Sequence, residues 1–138
     1  MKKLILLVLV SSFSVNAAVS TGTKELPKEV HDNIFCVGYT QAIYENTEPD
    51  TSVNNEAEAA MQFFYNRDES LKKQYNVDDG LPDSGGGKDT DELNRAFSLG
   101  YATYLKNRKP MPGMCIKIYA KAVQAMSDDE LMQPYRKN

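Results

Sequence analysis

The first helix of the fold is predicted by residues 27–46, which read PKEVHDNIFCVGYTQAIYEN. Pro27 suits the first turn of a helix, because its ring fixes φ near the helical value and its missing amide hydrogen is not needed there. We expect the helix to carry Cys36 and to end at Glu45 or Asn46, before an Asn-Thr-Glu-Pro-Asp turn. Apolar residues recur along it at the three- and four-residue spacing of one helix face: Val30, Ile34, Phe35, Tyr39 and Ile43.

A second helix is predicted after this turn. Thr51 or Ser52 can cap it, because a hydroxyl oxygen can accept a hydrogen bond from an amide of the first turn. We expect the helix to break near Asn66, and residues 69–75 to add a further helical turn or two.

Two more long helices follow in the C-terminal half. Thr90 or Asp89 can cap the third, which should end at Asn107 before two prolines. Gly100 in its middle costs about 1 kcal/mol relative to alanine, so it predicts the close approach of another helix. The fourth long helix follows Gly113.

A last short helix is predicted beyond these. Residues 127–130 form a capping box, and Pro134 ends the helix. No run alternates apolar and polar residues convincingly enough for a strand. The sequence therefore predicts an all-α fold, a small helical bundle of about four main helices.

An export signal is predicted at the N-terminus. Lys2 and Lys3 precede an apolar run, residues 4–10, that is too short to span a bilayer, and small residues suit cleavage after Ala17. The alternative is an uncleaved N-terminal anchor. We expect residues 1–17 to be a signal peptide and residues 18–138 to form a single helical domain, periplasmic or secreted.

The net charge narrows the kinds of partner. Sixteen Lys and Arg stand against nineteen Asp and Glu, a formal charge of −3, and removal of Lys2 and Lys3 changes it to −5. An acidic chain has no electrostatic reason to bind nucleic acid or anionic lipid. We therefore expect a protein partner with basic character, no nucleic acid, and no membrane contact after signal cleavage.

Two cysteines, Cys36 and Cys115, are present. In an oxidising compartment such a pair indicates a disulfide, which would tie the first long helix to the last and stabilise the fold by roughly 4 to 5 kcal/mol. A reactive thiol or a metal ligand is the competing interpretation. The chain has one histidine, His31, and no close cysteine pair, so no metal and no other cofactor is expected.

Catalytic motifs are not apparent in the sequence. His31 falls in the first turn of the first helix with no nucleophile motif beside it, and the aspartates cluster in loops without the spacing of an acid pair. We therefore expect that the protein is not an enzyme. A small-ligand binding protein or a hydrolase remains the weaker alternative.

Residues 76–90 form an exposed loop by their composition. They read NVDDGLPDSGGGKDT and contain four of the eight glycines and four aspartates. A loop of this length in a compact domain is usually functional or disordered. Its GGGK stretch lacks the spacing of a phosphate-binding loop, and Asp89 stands where that motif needs Ser or Thr.

Three short segments resemble one family. Residues 35–44, FCVGYTQAIY, are similar to the cysteine-bearing first helix of the type VI secretion amidase immunity proteins. Residues 114–119, MCIKIY, with Leu131 further on, resemble a helix near the C-terminus of that family, and residues 97–107, which end in YLKN, resemble the helix between the two. The 76–90 loop departs from the family's pattern.

The resemblance implies an antitoxin role. Such proteins are periplasmic, bind a peptidoglycan-cleaving amidase delivered by neighbouring cells, and occlude its Cys–His active site with a protruding loop, commonly as homodimers. We expect this chain to do the same through its acidic loop, which could be steered to a basic cleft. The expected contact residues are Asp78, Asp79, Leu81, Asp83, Ser84, Lys88 and Asp89. The alternative is a small periplasmic helical stress chaperone or a binding protein of other function.

Overall fold

The computed structural model describes residues 25–80 and 85–125. These ranges contain four helices and no strand, which confirms the all-α prediction for the part of the chain that they cover. The helices are α1 (Lys28–Glu45), α2 (Ser52–Tyr75), α3 (Thr90–Asn107) and α4 (Gly113–Ala125). The predicted signal peptide at 1–17 and the predicted short helix at 127–134 lie outside the described residues.

Helix α1 is the centre of the fold. It packs along both α2 and α3 over most of its length, while α2 and α3 make little contact with each other. Accordingly α1 buries residues around most of its circumference, as a helix must when it has neighbours on two sides. The close approach predicted from Gly100 is present, because this residue lies against the backbone of α1 at Phe35.

The predicted break near Asn66 is wrong, because α2 continues as one helix of 24 residues to Tyr75. An exposed asparagine in a helix interior costs less than about 1 kcal/mol, whereas only proline would cost several times more. Phe64 and Leu71, which flank this position, are buried against α1, at 0% and 4% exposure. Tertiary packing therefore outweighs the weak local preference. The predicted cap is confirmed, since the amide of Asn54 donates to Thr51 Oγ1 at 3.2 Å.

A disulfide joins Cys36 of α1 to Cys115 of α4, as predicted. Both cysteines are completely buried, and Cys115 is the one fully buried residue within Gly113–Ala125. Helix α4 also packs Tyr119 edge-on against Phe63 of α2, with ring centroids 5.1 Å apart. Otherwise α4 lies at the edge of the bundle and touches α1 at few positions. Of the four helices, none is long and apolar enough to cross a membrane.

Candidate functional site

A cleft opens between α2 and α3, and α1 forms its floor. Because the two outer helices both pack on α1 and hardly on each other, a gap of about 300 Å³ is left between them. This volume is at the lower end of the range for small-molecule sites, so it suits one side chain or one small ligand. We call it the acidic cleft; it is lined by Ile34, Val37, Tyr65, Asp68, Lys72, Asp79, Thr90, Leu93, Asn94 and Phe97.

Three charged side chains meet at one end of the acidic cleft. Lys72 Nζ lies 2.7 Å from Asp68 Oδ2, one helical turn earlier on α2, and 2.9 Å from Asp79 Oδ2. Asp79 reaches this position because Asn76 ends α2 in the left-handed conformation, with φ of 51°, and so turns the chain back. Two carboxylates therefore share one ammonium group, and the cluster carries one negative charge.

Asp68 is the buried member of this cluster. It is 7% exposed, and its Oδ1 has no hydrogen-bond partner in the described part of the chain. Burial raises the pKa of this carboxyl, because desolvation disfavours the charged form more than the Lys72 ammonium favours it. Asp68 therefore keeps an unused acceptor inside the fold.

The pKa values of Asp79 and Lys72, the other two charged groups, both shift in the direction that favours the charged form. The hydrogen bond from Lys72 lowers the pKa of Asp79, which is half-exposed. Burial alone would lower the pKa of Lys72, but its hydrogen bonds to Asp68 and Asp79 outweigh this effect and raise it. Lys72 is thus held as a cation by two anions, whereas Asp68 is paired with one cation among the described residues.

The two flanks of the 76–90 loop are joined by hydrogen bonds next to the cleft. The amide of Asp89 donates to the carbonyl oxygen of Asp78 at 2.9 Å, and the amide of Asp78 donates to Asp89 Oδ2 at 2.8 Å. Thr90 Oγ1 accepts from the amide of Gly87 at 2.7 Å and donates to the carbonyl oxygen of Asp79 at 3.0 Å. The described base of the loop therefore has a defined conformation, and one wall of the acidic cleft belongs to it.

The predicted contact residues of this loop do not share one environment. Asp78, Asp79 and Lys88 are exposed, and Asp79 also lines the acidic cleft. Asp89 is 8% exposed, because its carboxylate is used to bind the amide of Asp78. Leu81, Asp83 and Ser84 lie outside the described residues.

Asp68, Lys72 and Tyr65 of the acidic cleft were not predicted as site residues. A signal for Asp68 was present, because it stands four residues after Phe64 and three before Leu71, in the apolar stripe of α2. A charged residue in such a stripe must be paired or functional. With a helix break near Asn66, Asp68 would not belong to the same stripe as Phe64, so it was not predicted as a buried charge.

His31 lies away from the acidic cleft. Its side chain is 42% exposed, and its Nδ1 is 3.8 Å from the neighbouring Asp32 carboxylate. Within residues 25–80 and 85–125, no group of three His, Cys, Asp or Glu side chains could hold a metal ion. The two carboxylates of the cleft can accept hydrogen bonds and balance a positive charge.

Comparison of the chain with protein-family models, curated proteins and solved structures gives no match.

Proposed function

We propose that this chain is an exported immunity protein, which binds a peptidoglycan amidase of a type VI secretion system and inhibits it by occluding its active site. The proposal rests on the resemblance of residues 35–44, 97–107 and 114–119 to that family. It is supported by the layout of the fold, in which the first and last long helices carry the cysteines and are joined by them. Its place of action would be the periplasm, after removal of residues 1–17.

The observation that carries the proposal is the anchored base of the 76–90 loop. A loop that inserts into a partner must be ordered on binding, and each side chain that is fixed in advance lowers this entropic cost. The reciprocal Asp78–Asp89 hydrogen bonds fix the base, while Asp78, Asp79 and Lys88 remain exposed beside it. Such a base suits a loop that enters a partner's cleft.

The charge of the protein supports a protein partner with a basic surface. The formal charge is −3 for the full chain. Complementary charge mainly speeds the encounter of two proteins and selects the partner, and this advantage falls as salt rises. A homodimer that captures two amidases would be compatible with this role.

Rescue from toxicity tests the proposal. Cells that receive a periplasm-directed amidase encoded by a neighbouring gene should survive when they express the full chain, and should die when residues 1–17 are deleted. Death at equal protein levels with the full chain would contradict the proposal. Protection of other proteins from aggregation at low pH would then favour the chaperone alternative.

A charge reversal in the loop tests the contact surface. Lys88→Glu changes an exposed loop residue, and Lys106→Glu makes the same change in net charge at the opposite end of α3. We expect Lys88→Glu to change the affinity for the purified amidase at least several-fold, and Lys106→Glu to leave it unaltered. Equal effects of the two variants would remove the loop from the contact.

A further inference from the structure

We propose that the acidic cleft binds a single organic cation, an ammonium or guanidinium group, with Asp68 and Asp79 as its carboxylate partners. This site shares Asp79 with the base of the 76–90 loop, and the inference does not depend on the partner being an amidase. The cation could be a basic side chain of a protein partner or a free alkylamine or alkylguanidine, because both present the same charged group.

The balance of charge in the acidic cleft points to a cation. Among the described residues, its charged lining consists of two carboxylates and one ammonium, which together leave one negative charge. The ammonium of Lys72 already contacts both carboxylates and is held between them. An anion entering here would meet two carboxylates and no uncommitted cation of the lining, whereas a second cation would neutralise the cluster.

The hydrogen bonding of the Asp68 carboxylate also favours a cation. Asp68 Oδ1 is buried and has no donor within the described residues, although its companion Oδ2 accepts from Lys72. A carboxylate oxygen accepts up to two hydrogen bonds, so the missing partner must be a donor. This oxygen is buried as it stands, and because the terminal torsion of an aspartate is soft, a turn of the carboxylate would bring it to a donor in the cleft.

The walls of the acidic cleft suit the alkyl stem of such a cation. Val37 of α1 and Leu93 and Phe97 of α3 are apolar, and long basic side chains bury their methylene stems on surfaces of this kind. Tyr65 of α2, 46% exposed, adds an aromatic ring at the edge of the cleft. A ring beside two carboxylates is a favourable setting for a guanidinium or ammonium group. The volume of about 300 Å³ leaves room for one such chain.

The test is an NMR titration of the purified protein with butylguanidinium and butylammonium. Butylurea, which has a similar shape and no charge, is the ligand control. We expect both cations to shift amide signals of residues that line the acidic cleft, with a Kd in the millimolar range that fits one cation in an open site. Butylurea should cause no such shifts. Equal shifts with butylurea, shifts spread over the whole surface, or no shifts would overturn the inference.

Two variants with equal net charge locate the binding. Asp68→Asn removes the buried carboxylate without changing its size, and Glu56→Gln removes an exposed one three turns earlier on α2. We expect Asp68→Asn to weaken cation binding at least tenfold and Glu56→Gln to leave it unchanged. Circular dichroism of each variant confirms that it is folded. Unaltered binding by folded Asp68→Asn would overturn the assignment.

A capped arginine peptide, acetyl-Gly-Arg-Gly-amide, distinguishes the two sources of the cation. Binding at least as tight as that of butylguanidinium would identify a protein side chain as the occupant, because the peptide backbone is then accommodated at the mouth of the cleft. Binding of butylguanidinium with exclusion of the peptide would identify a free small cation. Failure of both ligands would contradict the cation site and leave the rescue experiment unaffected.

Discussion

Gly38 of α1 and Gly100 of α3 face the backbone of each other's helix across the α1–α3 contact. A methyl group added to Gly38 would lie 2.1 Å from the carbonyl oxygen of Phe97, and one added to Gly100 would lie 2.0 Å from that of Phe35. Backbone atoms cannot move aside as the end of a flexible side chain can. The two helices therefore approach so closely because both residues lack a side chain, and this approach fixes the position of α3 beside the acidic cleft.

Replacement of Gly100 by alanine should destabilise the protein by about 1–3 kcal/mol or more, because α3 must move away from α1 to admit the methyl group. This outcome reverses the usual helix preference, by which alanine is favoured over glycine by about 1 kcal/mol. Gly113→Ala is the matched control, since nothing lies within 4 Å of the added methyl group. Urea unfolding of both variants measures the difference. A Gly100→Ala protein as stable as Gly113→Ala would show that the helices do not approach this closely.

Removal of the disulfide should release α4 before the rest of the bundle. The Cys36→Ser, Cys115→Ser double variant loses a crosslink across a sequence separation of 79, which is expected to cost about 4 to 5 kcal/mol of stability. Because α4 has few other contacts with α1, its amides should exchange hydrogen faster than those of α1. Hydrogen exchange on the double variant, and on the wild type with a reducing agent, measures this. Equal loss of protection in α1 and α4 would show that α4 does not detach on its own.

The helix boundaries were predictable because their signals are local. Thr51 accepts a hydrogen bond from an amide of its own turn, Pro27 directly precedes α1, and Gly113 follows two prolines that interrupt the chain. Gly100 predicted a close contact but not its partner, because its contact with the backbone of Phe35 depends on the packing of two distant segments. The helix continues through Asn66 because Phe64 and Leu71 are buried against α1, and this burial is not visible in the local sequence.

The acidic cleft was not predictable to the same extent. Asp68 and Lys72 form an i,i+4 pair that a reader of the sequence can find, yet such pairs are common on exposed helix faces. The gap itself exists because α2 and α3 both pack on α1 and not on each other, which is a property of the tertiary arrangement. Asp79 joins the pair only through the left-handed turn at Asn76.

Substitution of Asp89 should loosen the base of the 76–90 loop. Its buried carboxylate accepts a hydrogen bond from the amide of the exposed Asp78, so Asp89→Ala removes this bond and should cost about 0.5–1.5 kcal/mol. Asp89→Asn keeps an acceptor oxygen and should cost less. Exchange of the Asp78 amide hydrogen, measured by NMR, should be faster in the alanine variant than in the asparagine variant. Equal rates in the two variants would contradict the role of this bond as an anchor.

Asp68 should make the stability of the protein depend on pH with an unusual sign. Its folded pKa is raised by burial above its ordinary value of 3.8, so the folded state holds this proton more tightly than the unfolded state does. Between the two pKa values the folded state binds more protons, and the free energy of unfolding therefore falls as the pH rises. The exposed Asp79 acts in the opposite direction, because its pKa is lowered and its contribution is lost as the pH falls.

Comparison of the wild type with Asp68→Asn isolates the contribution of Asp68. Asparagine does not ionise, so the Asp68→Asn variant lacks the fall in stability that ionisation of Asp68 causes as the pH rises. Asp79 and Lys72 remain in both proteins. We expect the stability of Asp68→Asn relative to the wild type to increase as the pH rises from about 3 through the raised pKa of Asp68. Above that pKa the difference should stay constant up to about pH 7, because Lys72 is still charged there. Urea unfolding at a series of pH values measures this difference. A relative stability that instead decreases with pH would show that Lys72 stabilises the charged carboxylate more than burial disfavours it, and the carboxylate would then need no second cation.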